Sequence, residues 1–272
     1  MNGNAEAMKA MGQAMTLAGK VGSNFWPAIK PSVISGRFDF LKFAKDSDVR
    51  DAIRRGFVPQ APDRPPYLGL DIGKVTRDKL SSLSVWDHRD LYQDFYRDVF
   101  GRHVMFPDNL MPDAPEKFGW ISCIPGISNE TSFQSGRLDM PHWKWTDQIL
   151  DAVLNLNRGR DAWFHDFIVR VRPNWEADED LKNICGKDMD ERGTNVLMFR
   201  ERWILGLYIF WLTGEHLDRK TVTLTGSRWS DGGVARVYFR PGDGEVSAGR
   251  VYPSSADGDW RFRQAVSLAE GE

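Results

Sequence analysis

The residues in this chain best suited to binding chemistry are arginines and tyrosines at alternating positions near the C-terminus. Arg236, Tyr238, Arg240, Arg250 and Tyr252, with Arg261 and Arg263 beside them, would share one face of a sheet if their segments are strands. Guanidinium forks suit bidentate contacts to phosphate or carboxylate and stack on rings, which lysine does not, and no Lys follows Lys220. The acids Asp231, Asp243, Glu245, Asp257 and Asp259 fall in the intervening turns, so charge is segregated. A plain solvated outer face would also place polar residues there. A second candidate is Pro141-His142-Trp143-Lys144-Trp145. In extended chain Trp143 and Trp145 point the same way and could clamp a base, a sugar or a protein side chain, or staple onto a following helix.

Catalytic patterns are sparse. In Tyr67-Leu68-Gly69-Leu70-Asp71-Ile72-Gly73 a strand would end in an Asp followed by Gly. This resembles the first strand of RNase H-like nucleases and actin-like phosphotransferases, and the resemblance implies that Asp71 is a metal-binding carboxylate. It spans seven residues. Lys74 stands where actin-like loops prefer a hydroxyl, and no later strand ending in Asp or Glu offers the second carboxylate of a two-metal site. Gly69 to Thr76 is not a P-loop, because its glycines are one residue too close and Val75 replaces the hydroxyl that would hold magnesium. His88-Arg89-Asp90 matches the kinase triplet by letters alone, without the downstream Asn, glycine-rich loop or Asp-Phe-Gly. His88, His103, His142, His165 and His216 never pair at helical spacing, so no helical metal site is encoded, and no cofactor motif is present. Ser128 lacks the second Gly of a nucleophile elbow, and Glu176, Asp178, Glu179 and Asp180 read as acids of a helix N-terminus. Pro107-Asp108 with Glu116 and Lys117 resembles restriction-type nucleases but sits in loop-like sequence.

Composition bounds the classes these residues can serve. The 272 residues are 41% hydrophobic and 27% charged, which fits a globular chain and argues against disorder. Eleven Trp raise the expectation of a binding surface without naming its ligand. A net charge of −2 denies the protein a global basic footprint, so any nucleic-acid surface must be local. Cys123 and Cys185 stand apart and outside any C-x-x-C pair, which fits a reducing, cytoplasmic compartment. Glu6 and Lys9 with no apolar run exclude a standard signal peptide, and the longest apolar run, Trp203 to Leu212, is too short for a bilayer of about 30 Å.

The elements that must position the candidates read as an α+β fold, a helical N-terminal half packed with a C-terminal antiparallel meander of about four strands. We expect a helical N-terminal region at 1–60, a mixed α/β region with long loops at 61–217, and the meander at 218–272, within one compact domain. Met8, Met11 and Met15 stripe a first helix that could dock on a protein partner. Ser47 caps a second that Gly56 ends, and Pro59 to Pro66 forms a linker. Tyr67 to Ile72 and Leu83 to Trp86 read as strands. Leu91, Tyr92, Phe95, Tyr96, Val99 and Phe100 stripe a helix capped by Asp87, with Asp94 on its solvated face. A short strand is expected at Trp120 to Ile124, helices at Asp147 to Leu156 and after Asn174, and a buried helix at Asn195 to Leu212. Trp163 to Val171 is strand or helix.

The meander rests on Asp231-Gly232, Asp243-Gly244 and Asp257-Gly258 between strands Thr221 to Thr225, Val234 to Arg240, Val246 to Tyr252 and Trp260 to Val266. A three-residue loop, Gly242-Asp243-Gly244, would bury Ala235, Val237, Phe239 and Val251 on one face and expose Arg236 and Arg250 on the other. These features favour a non-catalytic binding or assembly component that contacts RNA, DNA or a nucleoprotein complex through the Arg and Tyr face. The rival expectations are a metal-dependent nuclease or phosphotransferase centred on Asp71, and a protein-binding accessory such as a chaperone or inhibitor.

Overall fold

The computed structural model describes residues 66–134, 137–155 and 166–268. The Met-striped helix, the Ser47-capped helix, the linker up to Pro65 and His165 lie outside the described residues. The fold below is that of the compact unit made by residues 64–101 and 106–272. Its helices are α1 (Arg77–Ser81), α2 (Val85–Phe100), α3 (Asn129–Phe133), α4 (Leu150–Val153), α5 (Gly186–Arg192) and α6 (Phe199–Thr213). Its strands are β1 (Trp120–Ile124), β2 (His142–Lys144), β3 (Leu154–Asn155), β4 (Phe167–Val171), β5 (Val222–Trp229), β6 (Val234–Arg240), β7 (Glu245–Val251), β8 (Trp260–Arg261) and β9 (Ala265–Val266). The fold is α+β, as its sequence pattern implies.

Two sheets flank α6. One has the order β1-β4-β9, and the other runs β2-β7-β6-β5-β3, with β8 also on β5. Because α6 packs on both, its residues are buried all round rather than on one stripe. Helix α2 crosses β1, and its aromatic stripe supplies both packing and hydrogen bonds. Tyr92 and Tyr96 donate to the carbonyls of Ile121 and Cys123 at 3.0 and 2.8 Å. Tyr92 also stacks on Tyr208 of α6 at 3.8 Å.

Several local expectations are corrected. Leu83 to Trp86 is no strand, because Ser84 and Asp87 form a reciprocal capping box that starts α2, with Ser84 as the cap. Asp94 is not solvated; it is buried and accepts the Tyr67 backbone N–H at 2.9 Å. Tyr67 to Ile72 is no strand either. Pro66–Gly69 is a tight turn with Tyr67 and Leu68 at φ 56° and 51°, and Gly73, at φ 83°, lets its own N–H and that of Val75 reach the Leu212 carbonyl at the end of α6. The Asp-Ile-Gly turn therefore terminates a helix. The helix expected from Asp147 shrinks to α4 and turns directly into β3, and the segment after Asn174 holds only a 3-10 turn at Glu179–Leu181.

The C-terminal hairpins form at Asp231-Gly232 and around Asp243-Gly244. The register differs from the expected one, because Arg240 faces Glu245 across a four-residue loop, Pro241 to Gly244. Pro241 has no N–H to give the ladder, and Gly244 takes φ 67° to close the turn. Phe239 then opposes Val246, and Ala235 opposes Arg250, so Arg250 shares the face that Val237 and Phe239 present toward α6. That face also carries Thr223. The opposite face carries Arg236 and Tyr238 beside a second core, where Leu224, Val234 and Val251 meet Leu181, Ile184, Met189, Val196 and Phe262. Each face is covered over part of its length, so the assumption of one wholly buried and one wholly wet face does not hold. Each of the two arginines crosses a glycine instead, Arg236 over Gly249 and Arg250 over Gly233. The fourth strand is not the antiparallel neighbour of β7, whose outer edge is taken by β2 in parallel. It splits into β8, parallel to β5, and β9, which joins β4 in the other sheet.

Candidate functional site

The described structure separates the expected Arg and Tyr face into three environments. Arg236, Tyr238 and Arg240 line a cavity of about 580 Å³ together with Arg219, Lys220, Trp260 and the acids Asp243, Asp257 and Asp259. Arg250 and Tyr252 lie elsewhere. The Arg250 guanidinium sits over the Tyr252 and Trp145 rings at 4.6 and 5.7 Å and pairs with Asp231 at 2.7 Å. Arg261 is half-buried against Glu179. Arg263 is only 1% exposed and is structural, which corrects its placement on the surface.

A buried charge cluster positions the cavity. The Asp218 carboxylate accepts from Arg202 Nη2 at 2.6 Å on one oxygen and from Arg263 Nη2 at 2.6 Å on the other, and it also accepts from the Thr223 hydroxyl. Burial alone raises its pKa, yet the two guanidiniums outweigh burial and hold it below the ordinary carboxylate value. Arg263 also donates to the carbonyls of Asn174 and Trp175 at 2.8 and 3.2 Å. Asp218 adopts φ 56°, a strained conformation for a residue with a side chain. The next two residues, Arg219 and Lys220, are thereby turned outward into solvent.

The cations of this cavity differ in their freedom. Arg240 is paired with Asp243 at 2.6 Å and Glu245 at 2.8 Å. Arg219, Lys220 and Arg236 have no carboxylate within ion-pair distance among the described residues. The Arg236 guanidinium lies 4.9 Å from the Tyr238 ring centroid and 5.7 Å from that of Trp260, and its Nε is buried without a hydrogen-bond partner. Three unpaired cations beside two rings can hold an anion joined to a flat apolar body. Arg219 and Lys220 were not among the residues singled out by alternation. Their signal is the basic pair just before β5.

The other expected sites fare differently. Trp143 and Trp145 are 44% and 52% exposed on and beside the edge strand β2. Lys144 between them is turned to Glu130 at 2.9 Å, and Trp145 meets Trp229 edge to face rather than stapling a helix. Asp71 has a side chain 73% exposed and pairs with Lys74 at 3.2 Å. Among the described residues no three His, Cys, Asp or Glu side chains are grouped so that they could hold a metal ion. No helix among them is long and apolar enough to cross a membrane. Comparison with family models, curated proteins and solved structures found no match for the chain.

Proposed function

We propose that the protein is a non-catalytic binding or assembly component that contacts nucleic acid through the cavity beside β6. The observation that carries this reading is the trio Arg219, Lys220 and Arg236, whose side chains have no carboxylate within ion-pair distance among the described residues, next to Tyr238 and Trp260. Arg and aromatic rings together serve phosphate and base, whereas solubility alone requires neither. The local cations also answer the difficulty raised by a net charge of −2. Two buried, unpaired cysteines suit a reducing, cytoplasmic location. Retention of RNA and DNA oligonucleotides by the purified protein at low salt tests the proposal. Binding should weaken as salt rises, and Arg219→Glu with Lys220→Glu should abolish it while the melting temperature holds. A wild-type protein that retains no oligonucleotide at low salt would overturn it.

A second reading has its own observation. The exposed rings of Trp145 and Tyr252, the latter 65% exposed, flank the half-buried, Asp231-paired Arg250, a composition enriched at protein interfaces. A nucleoprotein component would use both surfaces.

A further inference from the structure

The cavity beside β6 has a neighbour. A second cavity of about 520 Å³ is lined by Arg77, Trp175, Glu176, Arg219, Lys220 and Pro241. It shares Arg219, Lys220 and Pro241 with the first, so the two form one groove with a cationic junction. Each half has its own planar platform. In the first these are Tyr238 and Trp260 with Arg236 between their reach, and in the second Arg77 lies over Trp175 at 4.0 Å and is held there by Glu215. The Arg219 and Lys220 side chains favour an anion at the junction, while Asp257 and Asp259 line the first half and Glu176, whose carboxylate accepts the Lys220 backbone N–H at 3.1 Å, borders the junction on the side of the second.

We propose that the groove takes two successive nucleotides of one single strand, with one base in each half and the linking phosphate at Arg219 and Lys220. This rests on the nucleic-acid reading above and narrows it. A duplex presents phosphates on both strands every few ångströms and would bring some of them against the carboxylates, whereas a single strand can place one phosphate at the junction and its bases at the sides. The carboxylates then accept hydrogen bonds from base N–H groups, such as N3–H of uracil, instead of repelling phosphate. The same buried Asp218 cluster fixes both halves, since Arg263 holds the carbonyls of Asn174 and Trp175 while Asp218 leads into Arg219.

The test is titration calorimetry with uridine monophosphate, the dinucleotide UpU, a tetrauridylate, pyrophosphate and a short blunt RNA duplex. The dinucleotide should bind roughly ten-fold or more tightly than the mononucleotide, as the gain of a stacked base implies. The duplex should bind at least about ten-fold more weakly than the tetranucleotide. With the one junction phosphate engaged, the logarithm of affinity for the tetranucleotide should fall with the logarithm of salt at a slope of about −0.7. Arg77→Gln should reduce dinucleotide affinity and leave the mononucleotide unchanged, and Arg219→Glu should reduce both. Equal affinity for mononucleotide and dinucleotide, for duplex and single strand, or for pyrophosphate and dinucleotide would overturn the two-site groove while nucleic-acid binding stood. If no probe binds at low salt, the functional reading falls with it.

Discussion

At the scale of single residues, the most consequential side chain is Asp218. Two buried guanidiniums lean on one carboxylate, so removing its charge leaves both without their main partner. Asp218→Asn should therefore destabilise the protein by about 3–5 kcal/mol, measured by urea unfolding, the range for breaking a buried ion pair from one side. A loss below about 1 kcal/mol would show that the pair contributes little beyond packing. Gly206 depends on the same cluster. An alanine there would gain about 1 kcal/mol of helix propensity, but its Cβ would sit 2.6 Å from Arg202 Nη1, a group the Asp218 pair holds in place. Gly206→Ala should thus lower stability despite the better propensity, and a raised melting temperature would show that Arg202 has room to move. None of this was legible in the sequence. Alternation assigned Arg263 to an outer face because period two tells which side a residue takes but not what covers that side.

At the scale of elements, the meander was legible because Asp-Gly turns and β-branched runs are local signals. Its register was not, because it depends on a proline without an N–H at position 241 and on glycines at 233 and 249 that let long arginines lie flat. Helix α2 was legible from its aromatic stripe, yet its start moved three residues upstream, where the Ser84 and Asp87 exchange satisfies backbone N–H groups that an Asp87 cap would leave outside the helix. Phe239, expected to be buried, is worth less than a core ring, although its face is the expected one. Its ring is half-buried and stacks on His216 at 4.2 Å, which in turn stacks on Phe210 of α6 at 4.5 Å. Phe239→Ala should accordingly cost roughly 1–2 kcal/mol in urea unfolding, below the range for a fully enclosed ring. A cost above about 3 kcal/mol would mean that the ring is enclosed after all. The groove was legible only in part. Arg236, Tyr238 and Arg240 lie on one strand, but Arg77, Trp175 and Arg219 reach it from separate segments that no local pattern joins.

At the scale of the whole molecule, α6 between two sheets creates an interior that takes in polar groups as well as apolar ones, and among them is a histidine. His88 is fully buried between α2 and α6, with Nδ1 2.9 Å from the Tyr208 hydroxyl and Nε2 without a partner. Burial lowers its pKa to about 4, and the neighbouring Asp87 only partly opposes that. His216, wedged between Phe210 and Phe239, is likewise lowered to about 4 by burial and by Arg202 and Arg219. Both histidines take up protons in the unfolded chain near pH 6.5 but remain neutral in the folded one until about pH 4. Between those values the unfolded state holds more protons, so stability rises with pH and is lost as pH falls through the window. His88 alone should account for about 3 kcal/mol of that loss once the window is crossed. The depressed carboxylates, Asp218 among them, lose their stabilising effect only below the ordinary carboxylate pKa near 4, so the histidine effect comes first on acidification. Urea unfolding at pH 7, 5.5 and 4.5 should therefore show stability falling well before the acids titrate, and His88→Gln should remove about half of that slope, His216 keeping the rest. Wild-type stability that is constant from pH 7 to 4.5 would mean that the imidazole finds a partner for its second proton inside the folded protein.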